Sequence, residues 1–293
     1  MSAEEVVLPT IEYNTAFSGA SLNIGKDLSV RYHITISDGE NINDFAVRFT
    51  MNDYTVEVSD YVLDTTPGKY VFSFCGVAPQ CMGDTIYAEL LKNGKLVDEN
   101  KYSVKAYVQD ALALYSDYTE LTQLLSDLLL YGAAAQEYVG YRTNALVTKG
   151  MDLPNASSAT PDAGDKNKSV TSADGDTQFT AAGVRFDYNN RIYVKFKAPS
   201  IDGISVFANG EALEIQKSGS VYIAYTDGIS ALNFGDVVTF TLSSDGEVIQ
   251  TLTYTVNDYA LDKYGDAQIG DLALALYRYG KSAISYNNTL GGN

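Results

Sequence analysis

Residues 85–104 read TIYAELLKNGKLVDENKYSV, and residues 237–256 read VVTFTLSSDGEVIQTLTYTV. Both stretches are rich in β-branched and aromatic residues and alternate with the period of two that is typical of strands. An Asn-Gly pair at 93–94 and an Asp-Gly pair at 245–246 interrupt them. These residue types tolerate the positive φ that type I′ turns require, so each stretch is predicted to be a β-hairpin.

The two hairpins belong to an internal duplication. With an offset of 152 residues, the register holds without a gap from residues 70–107 onto residues 222–259. After a four-residue difference, LLLYGAAAQEY at 128–138 overlies LYRYGKSAISY at 276–286. Matching segments that occur in the same order in both halves of the chain indicate a tandem repeat.

The repeat predicts the fold class. Each copy has several strand-like segments and then a segment with apolar residues at helical spacing. We therefore expect a mainly β fold with helices, of the α+β class, in which two tandem antiparallel β-sandwich lobes are each followed by an amphipathic helix. The lobes are predicted to span residues 1–147 and 179–293, and the Ser-, Asp-, Asn- and Gly-rich segment 148–178 is predicted to be a polar linker.

Two small features remain open at this stage. Gly132 and Gly280 occupy equivalent places inside the two predicted helices, and a close approach of the backbone to the sheet would explain why glycine is kept there. Cys75 and Cys81 flank one predicted loop, where a disulfide and two thiols are both compatible with the spacing.

Composition limits the partners. The formal net charge of −17 disfavours nucleic acid and anionic membranes. The chain has neither a run of 18 apolar residues nor a recognisable signal peptide, so we expect no membrane insertion. It contains 23 Tyr and only 19% charged residues, a composition common in secreted bacterial proteins.

The sequence offers little catalytic machinery. His33 is the single histidine, and we interpret it as structural. No phosphate-binding loop, zinc-ligand spacing or nucleophile elbow is present, and most acidic residues lie in turns or the linker. We expect no enzyme activity, no cofactor and no metal site.

The tyrosines are the more informative residues. Tyr70, Tyr102, Tyr107, Tyr131 and Tyr138 have tyrosine counterparts in the second copy, and we expect them to pack in the core. Other tyrosines lie near turns without a clear counterpart, and tyrosine rings can stack on the apolar faces of sugars. The candidate ligand-binding residues are Tyr188, Asn189, Asn190 and Arg191 in the turn DYNNR, together with Tyr61, Tyr54, Tyr115, Tyr118, Tyr225 and Tyr264.

The strand block, the hairpin ending in YSVKAY or YTVNDY and the helix LLLYGAAAQEYVGY resemble a duplicated module of surface and cellulosome-type proteins of gut clostridia and ruminococci. Within that group, the chain is most similar to the two-lobed starch-binding modules of the ruminococcal starch adherence system, the amylosome. The second copy departs from the helix pattern by reading YGKSAISY. The resemblance implies a groove for an α-glucan between or across the lobes, and no site residue is transferred from it.

These observations lead to one functional hypothesis and two alternatives. The first is a non-catalytic carbohydrate-binding protein, secreted and displayed at the cell surface, that holds a neutral polysaccharide, above all starch or malto-oligosaccharides. Other domains or scaffold proteins of a surface complex are its expected partners. The alternatives are a structural or adhesion module that binds a protein partner, and an enzyme of unknown type.

Overall fold

The architecture is taken from a computed structural model that describes residues 14–173 and 175–291. The chain forms two compact units. Unit 1 contains the described residues up to Asn23, Ser29–Cys75 and Asp84–Tyr107. Unit 2 contains Ile24–Leu28, Gly76–Gly83 and the described residues from Val108 onward.

Unit 1 is a two-sheet structure. Its strands are β1 (Ala16–Ile24), β2 (Leu28–Thr35), β3 (Phe45–Met51), β4 (Tyr54–Val58), β5 (Val62–Leu63), β6 (Lys69–Phe74), β7 (Ile86–Lys92) and β8 (Lys95–Tyr102). The sheet orders are β1-β2-β6-β5 and β4-β3-β7-β8, with antiparallel pairing.

Aromatic side chains join the two sheets of unit 1. The ring of Tyr32 on β2 lies 5.3 Å from that of Phe49 on β3, and Phe49 lies 5.7 Å from Phe74 on β6. The buried Tyr32 hydroxyl donates to the carbonyl of Ile86 at 3.0 Å, which satisfies a polar group that would be costly to leave unpaired. The sheets therefore pack face to face as a sandwich.

Unit 2 contains the second set of strands and most of the helical structure. Its strands are β9 (Ser169–Val170), β10 (Gln178–Phe186), β11 (Asn190–Lys197), β12 (Ile204–Ala208), β13 (Glu211–Ala212), β14 (Ile215–Ser218), β15 (Val221–Tyr225), β16 (Val238–Ser244) and β17 (Glu247–Tyr254). They form the sheets β10-β11-β15-β14 and β13-β12-β16-β17-β9. The α-helices of the described residues are α1 (Val104–Leu114), α2 (Thr119–Val139), α3 (Val256–Lys263) and α4 (Gly270–Thr289).

The predicted hairpins and fold class are confirmed. Strands β7 and β8 pair through a turn in which Asn93 and Gly94 have φ of 50° and 74°. In the turn between β16 and β17, Asp245 and Gly246 have φ of 49° and 87°. Two consecutive positive φ values are the mark of a type I′ turn. Within residues 14–173 and 175–291, four antiparallel sheets and four α-helices make an α+β fold.

The predicted hairpins are too long, because helices α1 and α3 begin within the segments YSVKAY and YTVNDY. Side-chain caps set these starts. The Ser103 hydroxyl accepts from the Ala106 amide at 3.0 Å, and Thr255 and Asp258 cap each other's backbone amides at 2.8 Å. The capping box at Thr255 and Asp258 satisfies the free amides of the first helical turn, so the chain leaves the strand and begins a helix there.

Helices α2 and α4 pack against each other in unit 2. The rings of Tyr131 and Tyr279 stack with centroids 5.7 Å apart and planes 10° apart. A Cβ added at Gly132 would lie 2.8 Å from the Met82 sulfur, and one at Gly280 would lie 2.6 Å from the Phe234 ring. The expected close approach therefore exists, but it is to the loop before β7 or β16 rather than to a sheet.

The boundaries of the two compact units differ from those of the predicted lobes, because helix α2 of the first copy belongs to unit 2. The segment 148–178 contains strand β9, which pairs with β17, and a 3₁₀ turn at Ala163–Asp165. The Asp165 carboxylate accepts from the Tyr277 hydroxyl at 2.8 Å and from Lys281 at 2.9 Å. This part of the segment is thus tied to unit 2.

Two further observations complete the fold. Cys75, which is exposed, and Cys81, which is half-buried, are both thiols. Across the described ranges, every helix is too short or too polar to cross a lipid bilayer.

Candidate functional site

A concave surface of unit 2 collects aromatic and charged side chains. Its floor is the outer face of the sheet β10-β11-β15-β14. On β11, Ile192, Val194 and Phe196 are fully buried, so the period of two turns Tyr193 and Lys195 to the opposite face. That face forms the floor of the concave surface.

Tyr193 and Tyr225 form the aromatic floor. They are paired residues on β11 and β15, and their ring centroids are 6.1 Å apart. Gly183 on β10 stands opposite Tyr193, where an added Cβ would lie only 2.6 Å from the Tyr193 hydroxyl oxygen. Because glycine has no Cβ, the Tyr193 ring can lie directly over Gly183.

Helical segments form the walls. Tyr138 comes from the last turn of α2, Tyr259 and Lys263 come from α3, and Asp266 and the residues after it come from the loop before α4. Floor and walls enclose an open volume of about 570 Å³. We call it the aromatic cleft, lined by Tyr138, Arg185, Phe186, Asp187, Tyr193, Lys195, Tyr225, Tyr259, Lys263 and Asp266.

An ion-pair cluster orders one end of the aromatic cleft. One oxygen of Asp187 accepts from Arg185 and from Arg191, both at 2.7 Å. Arg185 also donates to the Tyr225 hydroxyl at 3.2 Å, and the Arg191 guanidinium lies 4.9 Å from the Tyr225 ring centroid. Asp187 thereby holds two cations against one tyrosine, where cation–π attraction adds to the contact.

The hydroxyls of Tyr193 and Tyr259 are neutral at physiological pH. Burial raises the pKa of Tyr193, and the neighbouring Tyr225 and Tyr138 raise it further. Burial also raises the pKa of Tyr259. Hydrogen bonds from the amides of Gln268 and Ile269 hold the pKa of Asp266 below its usual value. The cleft therefore offers the neutral hydroxyls of Tyr193 and Tyr259, arginine and lysine side chains as donors, and the ionised carboxylate of Asp266 as an acceptor.

The predicted turn Tyr188–Arg191 lies beside a smaller cavity. Asn190 accepts from the buried Tyr131 hydroxyl at 2.7 Å, so its amide supports the helix pair. Tyr188 is 53% exposed, and its side chain lies 3.5 Å from a Cβ position at Gly76. With Asn189, these residues line a space of about 30 Å³, which has room for about one water molecule.

The other predicted site residues are dispersed. In unit 1, Tyr61 packs edge-on against Tyr70 at 5.3 Å, while Tyr54 is 57% exposed. In unit 2, Tyr115 and Tyr118 face each other at 5.9 Å. Tyr264 is exposed at the end of α3. Of the ten candidates, Tyr225 lines the aromatic cleft and Arg191 covers its ring.

Tyr193 was not among the predicted site residues, and Tyr138 lies in a different place from the one predicted. Core packing was expected for Tyr138 because Tyr286 matches it in the repeat, and this is wrong, since Tyr138 is 48% exposed and lines the cleft. The alternation Arg191, Tyr193, Lys195 on β11 is the signal that could have located the floor. Among the described residues, no group of three or more His, Cys, Asp or Glu side chains is placed to bind a metal ion.

Comparison with known proteins adds little. No family model matches the chain, and no curated protein matches it. Among solved structures, the chain is similar to the D1–D4 ectodomain fragment of ICAM-5, with a TM-score of 0.19 and 7% identity over 81% of this chain and 53% of that one. The chain thus spans about half the length of that structure, and a likeness this weak indicates no shared function.

Proposed function

We propose that the protein binds carbohydrate and that the aromatic cleft of unit 2 is its binding site, where the sugar is held and not chemically changed. The observation that carries this proposal is the Tyr193–Tyr225 pair, with Tyr138 and charged side chains around it. The ligand we propose is a neutral polysaccharide, first of all the α-1,4-glucan of starch.

The chemistry of the cleft fits a sugar chain. Tyrosine faces present large apolar surfaces with a polar tip, and sugar rings have apolar C–H faces with hydroxyls at the edge. Arg185 and Lys195 can donate to sugar hydroxyls, and Asp266 can accept from them. The volume of about 570 Å³ lies in the range of about 300–1,000 Å³ that is usual for ligand sites.

The cleft is also ordered before any ligand arrives. Asp187 fixes both guanidinium groups, and Gly183 makes room for the Tyr193 ring. Side chains that are already immobilised lose less conformational entropy on binding. An exported location at the cell surface, with scaffold proteins of a surface complex as partners, belongs to the same proposal and rests on the sequence resemblance to amylosome modules.

Affinity electrophoresis tests this proposal. The full chain should be retarded in gels that contain amylopectin and should migrate normally in gels with xylan, β-glucan or no polysaccharide. Tyr225→Ala should abolish most of the retardation, whereas Tyr54→Ala, an exposed tyrosine of unit 1, should leave it unchanged. Normal migration of the wild-type protein in all the gels would contradict glycan binding and would favour an adhesion module.

A further inference from the structure

Unit 1 brings a serine, the single histidine and an aspartate into one chain of hydrogen bonds. Ser21 on β1 lies 2.8 Å from Nε2 of His33 on β2. Nδ1 of the same imidazole lies 2.7 Å from Oδ2 of Asp64, which directly follows β5. Side chains from β1, from β2 and from the residue after β5 therefore meet at one imidazole ring.

The aspartate is held from the side away from the histidine. Oδ1 of Asp64 accepts from the Thr66 amide at 3.0 Å and from the Thr65 hydroxyl at 3.3 Å. The hydrogen bond from the Thr66 amide has the largest effect on the Asp64 carboxyl, and the one with His33 the next largest. Together they lower the pKa of Asp64 to about 2. The carboxylate is therefore ionised at neutral pH and cannot rotate away from the ring without losing these bonds.

The order of the groups sets the tautomer of the imidazole. An ionised carboxylate is an acceptor only, so Nδ1 of a neutral His33 carries the proton and donates it to Asp64. Nε2 then presents its lone pair to the Ser21 hydroxyl. This is the arrangement by which an aspartate orients a histidine and the histidine accepts a proton from a nucleophilic serine.

The site is accessible to a ligand. The His33 side chain is 28% exposed, and Ser21 is half-buried. Strand β1 is the edge of its sheet, so some of its backbone N–H groups point away from the ladder.

From this geometry we propose that Ser21 is a nucleophile that cleaves carboxylic esters, with His33 as general base and Asp64 as a positioning residue. The Ser21 oxygen attacks the ester carbonyl while its proton passes to Nε2 of His33. The alcohol leaves with that proton, and an acyl-serine remains. Water then attacks the acyl group through the same histidine, which releases the acid and restores Ser21.

An organophosphorus probe tests the proposal on the full chain. Diisopropyl fluorophosphate should modify the peptide that contains Ser21, as located by mass spectrometry, and 4-nitrophenyl acetate should be hydrolysed. Ser21→Ala should lose the adduct. Ser18→Ala, a change of an exposed serine on the same strand, should keep it.

The partners of Ser21 give a second readout. His33→Gln should slow labelling by about a hundredfold, in line with the loss of a general base. Asp64→Asn should also slow it, and Asp64→Glu, which restores a carboxylate, should recover part of the rate at an unchanged melting temperature. Absence of a Ser21 adduct in folded wild-type protein, or equal labelling in His33→Gln, would overturn the proposal.

Discussion

Tyr131 and Tyr279, equivalent residues of the two copies, stack on each other with centroids 5.7 Å apart and planes 10° apart. Burial raises the pKa of both hydroxyls, and that of Tyr131 donates to Asn190. The two copies of the repeat therefore contact each other within unit 2, where equivalent residues of helices α2 and α4 pack together. Helix α2 thereby comes to belong with the second copy, and Tyr138 at its end lines the aromatic cleft.

The glycines next to this tyrosine pair should resist substitution. In Gly280→Ala, the new methyl group would lie 2.6 Å from the Phe234 ring, and overpacking of this kind costs about 1–3 kcal/mol. That cost should exceed the gain of about 1 kcal/mol in helix propensity. Gly132→Ala should also be destabilising, because its methyl group would lie 2.8 Å from the buried Met82 sulfur and 3.1 Å from the Pro79 carbonyl oxygen.

Urea denaturation measures both changes. Gly265→Ala, in the turn between α3 and α4, is the control for adding a methyl group without a clash, since no atom lies within 4 Å of its Cβ position. If Gly280→Ala were as stable as this control, α4 would not pack as described.

Asp127 should make stability depend on pH. Burial raises the pKa of its carboxyl, against the opposing effects of hydrogen bonds from Ser282 and the Ser157 amide and of the nearby Arg278. Between the usual carboxyl pKa and the raised native value, the native state keeps a proton that the unfolded chain releases. Wild-type stability should therefore fall as pH rises through this window.

Asp127→Asn has no such proton to lose. Its free energy of unfolding, relative to that of the wild-type protein, should increase as pH rises through the same window. Asp152→Asn removes an exposed carboxylate and controls for net charge. A relative stability that stays constant across the window would show that Asp127 is not desolvated.

Gly183 should matter for binding more than for folding. Alanine there would place a methyl group 2.6 Å from the Tyr193 hydroxyl oxygen and displace the ring from the cleft floor. Loss of one aromatic contact, worth about 0.5–1.5 kcal/mol, should weaken affinity for maltoheptaose by about two- to tenfold. Isothermal titration calorimetry measures this, and unchanged affinity would place the ligand away from Tyr193.

Asp187 should act through the two arginines that it holds. Asp187→Asn removes the charge that fixes Arg185 and Arg191 beside Tyr225, so affinity for maltoheptaose should fall by a few-fold through lost preorganisation. Glu57→Gln breaks a comparable ion pair with Arg48 in unit 1 and should have no effect. Equal affinities of both variants and the wild-type protein would exclude the cluster from binding.

Local patterns determined which elements could be predicted. The pairs Asn93-Gly94 and Asp245-Gly246 indicated their hairpins because the turn chemistry lies within two residues. Helices α1 and α3 were missed because the letters around Ser103 and Thr255 also fit a strand, and only the capping bonds decide between the two structures.

Several residues of the two candidate sites could not be predicted from the sequence, because tertiary contacts bring them together. Repeat matching treated Tyr138 as a core residue, although its role depends on which elements lie near the end of α2. Ser21, His33 and Asp64 have no spacing that would single them out, because strand pairing and a turn bring them together. Tyr225 and Arg191 were identified from their positions near turns, but Tyr193, which pairs with Tyr225 and lies two residues after Arg191 on β11, was not.

The central claim is that the aromatic cleft holds a glucan chain, and a crystal soaked with maltoheptaose tests it most directly. We expect glucose rings over Tyr193 and Tyr225, with Tyr138 on the opposite side and hydroxyls bonded to Arg185 or Lys195. A maltoheptaose chain bound elsewhere in the crystal, with the cleft empty and accessible, would contradict the account.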